Sequence, residues 1–194
     1  PRYDKSLPEL EFQMKNGVRI RGGFPATGTP IWSDRDPATY ETILSGDIGM
    51  PVFRNDNCYH VFYHPSGTNL NSTAILDGFT VTGGNANDAS ITHGFTGGGM
   101  YNNGCSPTIK NCVFKGNRAW DLGLGGGMYN FSGSNPTITD CTFENNSAEY
   151  GGGGLYNYSC TDPTITNCMF RNNTAGTGGG LANTATHAII PNCE

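Results

Sequence analysis

The chain is poor in charge. Only 14% of its 194 residues are Asp, Glu, Lys or Arg, against roughly 25% in an average soluble domain. No Lys/Arg cluster occurs along the sequence, so nothing marks a nucleic-acid-binding segment. No apolar run approaches the ~18 residues of a membrane-spanning helix, and residues 1–10 carry no apolar signal-peptide core. What is abundant is glycine (29 residues), with 21 Asn and 21 Thr. Gly and Thr are poor helix formers and Asn favours turns, so coiled coils and helical solenoids are excluded. The glycines are clumped, which excludes collagen. Ten Phe, nine Tyr and 36% hydrophobic residues are enough to build a core, which argues against disorder.

From Gly97 onward the chain repeats itself. The units read GGGMYNNGCSPTIKNCVFKGNRA (97–119), GGGMYNFSGSNPTITDCTFENNSA (125–148), GGGLYNYSCTDPTITNCMFRNNTA (152–175) and GGGLANTATHAIIPNC (178–193). The last Gly of each triplet is 99, 127, 154 and 180, a spacing of 28, 27 and 26. A motif that holds while its period drifts places the variable residues in loops.

Ile109, Ile138, Ile165 and Ile190 sit in extended context, and Phe114, Phe143 and Phe170 follow the first three five residues later. Strict strand alternation puts such a pair on opposite faces. A bend must reset the parity. The residue two after each Ile is Asn111, Asp140, Asn167 or Asn192, the types that best tolerate left-handed backbone. With that bend, Ile109, Cys112 and Phe114 all point inward. An earlier stretch, ILDGFTVTGGNA (75–86), fits the same frame with Gly78 at the bend and Leu76, Phe79 and Val81 inward.

Short strands, Gly or Asn bends and a period of 25–29 residues predict an all-β fold: a right-handed, single-stranded parallel β-helix with coils ~4.8 Å apart. A leucine-rich repeat lacks its L-x-x-L-x-L frame here. Regular coils are expected over 75–96, 97–124, 125–151, 152–177 and 178–194, the last incomplete. Residues 1–74 are expected to form irregular opening turns, with a long loop over 25–40. Stacking predicts ladders of Ile109/Ile138/Ile165, Cys112/Cys141/Cys168/Cys193 and Phe114/Phe143/Phe170. It also predicts ladders of Asn102/Asn130/Asn157/Asn183 and Asn117/Asn146/Asn173.

The units carry FxxN at Phe114–Asn117, Phe143–Asn146 and Phe170–Asn173, each paired with a GG-small-aliphatic motif. In this the chain resembles the polymorphic outer-membrane-protein repeats of bacterial surface adhesins and autotransporter passengers, with Gly at the small position. NGVRIRGGF (16–24), TILSGDI (42–48) and LDGFTVTGGNA (76–86) resemble the N-terminal part of large secreted bacterial β-helix proteins. The resemblance implies an extracellular or cell-surface location and an adhesive or structural role more often than catalysis.

Candidate sites are few. The cysteine column reads as buried small thiols, with oxidised neighbours or zinc as its alternatives. The odd count of seven leaves at least one thiol unpaired or intermolecular. The Gly triplets lack a following GK[ST], so no phosphate cradle is expected. No catalytic residue and no cofactor are assigned. Asp47, Asp56 and Asp77 are candidates for calcium. Asp140, Glu144, Glu149, Asp162, Lys110, Lys115 and Arg171 read as singly scattered solvated charges. Tyr101, Tyr129 and Tyr156 follow the inward aliphatic residue of each unit, which predicts an exposed aromatic stripe that binds a glycan or protein or stabilises neighbouring strands. Sequons occur at Asn71, Asn130, Asn145, Asn157 and Asn172.

Three functions fit. The first is a non-catalytic surface module, adhesin-like or a structural stalk. The second is a filament subunit joined end to end, because the fourth unit stops at Glu194 before its FxxN segment and leaves an open rung. The third is a polysaccharide-cleaving enzyme.

Overall fold

The computed structural model describes residues 11–50 and 53–194; the reading of residues 1–10 lies outside them. Among the described residues, eighteen short strands wind into a right-handed parallel β-helix. Every strand pairing is parallel and joins equivalent segments of successive coils.

Three five-stranded faces run along the axis. The first stacks Phe62–His64, Met100–Asn103, Met128–Phe131, Leu155–Tyr158 and Leu181–Thr184. The second stacks Arg19–Arg21, Ile75–Asp77, Thr108–Lys110, Thr137–Thr139 and Thr164–Thr166. The third stacks Ile43–Ser45, Thr80–Thr82, Val113–Lys115, Thr142–Glu144 and Met169–Arg171. A shorter row of Asn85–Ala86, Arg118–Ala119 and Ser147–Ala148 closes the coil.

Corners are made by single residues with positive φ. Between the second and third faces these are Gly78 (82°), Asn111 (51°), Asp140 (53°), Asn167 (53°) and Asn192 (55°). Short polar side chains visit this region at low cost. The bend brings Ile109, Cys112 and Phe114 inward together, each at most 1% exposed. The Phe column stacks with ring centroids 5.0 Å apart for both Phe114–Phe143 and Phe143–Phe170, and with planes 9° and 6° from parallel. Each fully buried Phe contributes roughly 1.5–3 kcal/mol.

The FxxN asparagine has a separate task. A left-handed corner interrupts the ladder and strands backbone groups, which must find partners once buried. Asn146 Nδ2 donates to the Phe114 carbonyl at 2.9 Å and Asn146 Oδ1 accepts from the Asn117 N–H at 3.0 Å. Asn117 and Asn173 repeat both bonds one coil away.

The Gly triplet has three steric reasons in Gly97–Gly99. Gly97 has φ 68°; a Cβ on Gly98 would lie 2.2 Å from the Arg118 carbonyl oxygen, and one on Gly99 2.4 Å from that of Gly127. The chain therefore enters each coil through a passage with no room for a side chain.

The opening region belongs to the same stack. Arg19–Arg21 pairs with Ile75–Asp77, Ile43–Ser45 with Thr80–Thr82, and Phe12 bridges Phe62. Residues 25–40 leave the coil as a loop with one 3-10 turn at Trp32–Asp34. Arg35 fastens it: Nε donates to the Gly22 carbonyl at 2.8 Å, and Nη2 to Asp77 Oδ1 at 2.7 Å.

Candidate functional site

The tyrosine stripe is not an exposed surface. Tyr101 is 0% exposed, Tyr129 7%, and Tyr156 only partly exposed. The side chains do leave the coil, as alternation requires, with centroids 5.8 Å apart for Tyr101–Tyr129 and 5.9 Å for Tyr129–Tyr156. The segments ahead of each Gly triplet fold back over them. His93, in the long segment 87–96, lies 4.7 Å from Tyr101. A Cβ on Gly151, just ahead of the triplet 152–154, would meet the Tyr156 ring at 2.8 Å. Burial pushes the Tyr101 and Tyr129 phenols above the usual range. The column thus acts as a second, outer core.

What that covering segment leaves open is a cleft of about 290 Å³ lined by Gln13, Tyr59, His60, Tyr63, Ile91 and Thr92, among others. His60 and Tyr63 stack at 5.0 Å, and the Tyr59 hydroxyl meets Asp88 Oδ2 at 3.0 Å across the rim. His60 is buried, and burial lowers its pKa to about 4 despite a hydrogen bond to the Gly97 carbonyl. A carbonyl only accepts, so Nδ1 carries the proton. The wall of the cleft is aromatic and polar, with the Glu11 carboxylate among its lining residues, a composition that suits a small polar ligand.

The cysteine column is free of disulfides. Cys112, Cys141 and Cys168 are buried and Cys193 is half-buried. Each thiol lies near the carbonyl two residues before it, 3.1 Å for Cys112 to Lys110 and 3.2 Å for Cys141 to Thr139. Burial holds the Cys141 thiol well above its ordinary value. Cys58, Cys105 and Cys160 are likewise buried, free thiols.

The charges are less scattered than their sequence positions suggest. Register places Lys115, Glu144 and Arg171 side by side on the third face. Glu144 accepts from Arg171 Nε at 2.7 Å and lies 3.2 Å from Lys115 Nζ. Partial burial alone raises its pKa, and the bonds from Arg171 and Lys115 outweigh that and hold it below the carboxylate norm. Lys110 lies 3.6 Å from Asp77. Burial opposes ionisation of Asp77 too, but bonds from Asn111 and Arg35 lower its pKa. The solvated-singles reading of Lys110, Lys115, Glu144 and Arg171 is therefore corrected to cross-coil ion pairs.

The other carboxylates are engaged one at a time. Asp140 accepts from Asn167, Glu149 from the Leu122 N–H, and Asp162 meets His187 at 3.2 Å. Of the calcium candidates, Asp77 is taken by cations, Asp56 accepts from the Met50 N–H, and Asp47 is exposed. Among the described residues no three His, Cys, Asp or Glu side chains are grouped to hold a metal ion. Among the described residues no helix is long and apolar enough to cross a membrane.

The coil geometry has a counterpart in a known family. The profile described as "Right handed beta helix region" matches residues 52–194, most of the chain. The chain belongs to the right-handed beta helix family. No curated protein and no solved structure matches it. Family membership accounts for the architecture of this β-helix and leaves its role to the surface, since one fold hosts many functions.

Sequence reasoning missed both surface features that the fold creates. The cleft joins Gln13, Tyr59 and Ile91, which share no motif. Two adjoining depressions around the corner at Gly116 join Arg54 to Arg118 and to Lys115. The cleft is assembled by the segment 87–96 and the depression by the docking of the opening turns on the coils, neither of which a repeat period specifies.

Proposed function

We propose that this β-helix is a non-catalytic, adhesin-like module of a bacterial cell surface that holds a glycan or protein epitope in the cleft beneath residues 87–96. The observation that carries the reading is the cleft's construction. Its rings are set in a stiff frame: Tyr63 packs on Tyr101 at 5.3 Å, and Tyr101 continues into the buried aromatic column. A site on a rigid scaffold loses little entropy on binding. Mixed aromatic and polar walls suit a sugar ring or a polar peptide tip.

The test is a glycan array combined with a cell-adhesion assay on the whole chain. Ile91 is exposed and lines the rim, so Ile91→Arg fills the cleft without disturbing the core. Binding that falls at least tenfold in this variant, with an unchanged melting curve, supports the reading. Equal binding by both proteins removes the cleft from it. Depolymerisation of uronate-containing polysaccharides by the purified chain, with or without calcium, replaces it with an enzymatic role.

A further inference from the structure

The cysteine column repeats its surroundings coil by coil. Cys112, Cys141, Cys168 and Cys193 each follow a left-handed corner residue. Each Sγ lies near two carbonyl oxygens. One belongs to the residue two places before it, at 3.1, 3.2, 3.3 and 3.5 Å in chain order. The other belongs to the inward residue one coil earlier: 3.8 Å for Cys112 to Leu76, 3.7 Å for Cys141 to Ile109, 3.8 Å for Cys168 to Ile138 and 3.4 Å for Cys193 to Ile165. Matching contacts mean matching rotamers. Neighbouring sulfurs are therefore related by one coil, a translation of about 4.8 Å.

That spacing decides what two thiols can share. It is more than twice the ~2.05 Å of a disulfide, and the parallel side chains do not turn their sulfurs toward each other. A metal–thiolate bond is about 2.3 Å long, so two of them in line span about 4.6 Å. An ion midway between two sulfurs thus fits the stack with the backbone where it is. The side chains stand across the sheet, so the ion meets each Cβ–Sγ bond at close to a right angle, the bent geometry of a thiolate. A tetrahedral zinc ion needs two further ligands, and among the described residues no three His, Cys, Asp or Glu side chains converge.

One gap in the column is open to entry. Cys112 and Cys141 are 1% exposed and Cys168 2%, whereas Cys193 is half-buried. The Cys193 sulfur also accepts from the Cys168 N–H at 3.4 Å, a bond that favours its thiolate form.

We propose that the gap between Cys168 and Cys193 binds a soft cation that takes two thiolates in line, with Hg(II) as the ion whose charge the pair balances. Thiolates select soft ions over the hard cations that oxygen ligands hold. Two S–H bonds break, two S–Hg bonds form and two protons pass to solvent, with no change of oxidation state. The product is neutral. The apolar cluster that holds Cys168 favours it over the residual negative charge that a monovalent ion would leave. The site is independent of the cleft and of any ligand held there.

Titration of the whole chain with HgCl2 under nitrogen, with free cysteine as competitor, tests this. One ion should bind first, release two protons and protect Cys193 from a thiol reagent. X-ray absorption should show two sulfurs at about 2.3 Å from the ion. Cys193→Ser should weaken binding at least ~100-fold, the loss of an intramolecular second ligand, and release a single proton. Cys160→Ser, outside the column, should bind as the unaltered chain does. Zn(II) should not compete. Circular dichroism melts establish that the variants fold. The proposal is overturned if Cys193→Ser keeps full affinity, if Cys193 stays reactive in the one-to-one complex, if other than two sulfurs surround the ion, or if Zn(II) displaces it.

Discussion

His64 Nδ1 lies 2.7 Å from Asn102 Oδ1 inside the first face. His64 Nε2 accepts from the Met14 N–H at 3.1 Å, so the proton sits on Nδ1 and the ring is neutral. Asn102 then donates to Asn130, Asn130 to Asn157 and Asn157 to Asn183, each at 2.8 Å. The result is one directional chain of side-chain hydrogen bonds along the axis. Its first four members are fully buried.

This arrangement makes stability depend on pH. Burial lowers the His64 pKa to about 4, against a weaker opposing effect of its bond to Asn102. His60 is shifted similarly. The unfolded chain takes up protons near the ordinary value of 6.5 and the folded chain does not. The stabilisation is therefore complete above pH 6.5 and is lost as pH falls from there toward 4. Each site contributes on the order of 3 kcal/mol at most. Urea unfolding at pH 7.5 and 4.5 measures it, and His64→Gln should flatten the dependence. Depressed Asp77 and Glu144 add a further loss as pH falls through the carboxylate range below 4.

Asn130→Ala removes the middle of the ladder. It leaves the Asn102 amide without an acceptor and the Asn157 carbonyl oxygen without a donor, in a place water does not reach. The expected cost is about 2–4 kcal/mol. Asn183→Ala, at the exposed end of the same ladder, should cost under ~1 kcal/mol. Urea midpoints compare the two directly; equal losses would mean that the buried amides are not coupled.

Phe143→Ala opens a cavity between two stacked rings and should cost roughly 3–5 kcal/mol. Glu144→Gln, one residue away, should cost under ~1 kcal/mol, because Lys115 and Arg171 are more than half exposed and solvent screens the pairs. Its effect should shrink further in 0.5 M salt.

The thiols should react in an order set by access. Cys193 is half-buried and should be labelled first by a thiol reagent under native conditions. Cys112 and Cys141 should remain unlabelled until the chain unfolds, since only an accessible thiolate is nucleophilic. Mass spectrometry of timed samples reads this order. Early labelling of Cys141 would contradict its place in the core.

Much of the coil is legible in the sequence because identical positions face identical surroundings. Ile109, Ile138 and Ile165 repeat with a bend-tolerant residue two places on, and parity then dictates the inward Cys and Phe. The outer surface is not legible in that way. Tyr101 leaves the coil as alternation requires, but its burial depends on the non-repeating segment 87–96, whose path no period predicts. Arg54 and Gly116 lie 62 positions apart, and their contact depends on how the irregular opening turns dock. Lys115, Glu144 and Arg171 were separable only until register aligned them. Repetition specifies the inside, while insertions shape the outer surface.

The coils stack in register around continuous internal ladders. Hydrogen exchange followed by NMR tests this most directly, at the side-chain amides of Asn102, Asn130 and Asn157 and the backbone amides of Ile138 and Phe143. These should exchange slowest, near the rate of global unfolding, and the amides of Leu181–Thr184 much faster. Rapid exchange of the Asn130 side chain, at the rate of an exposed amide, would contradict the stack.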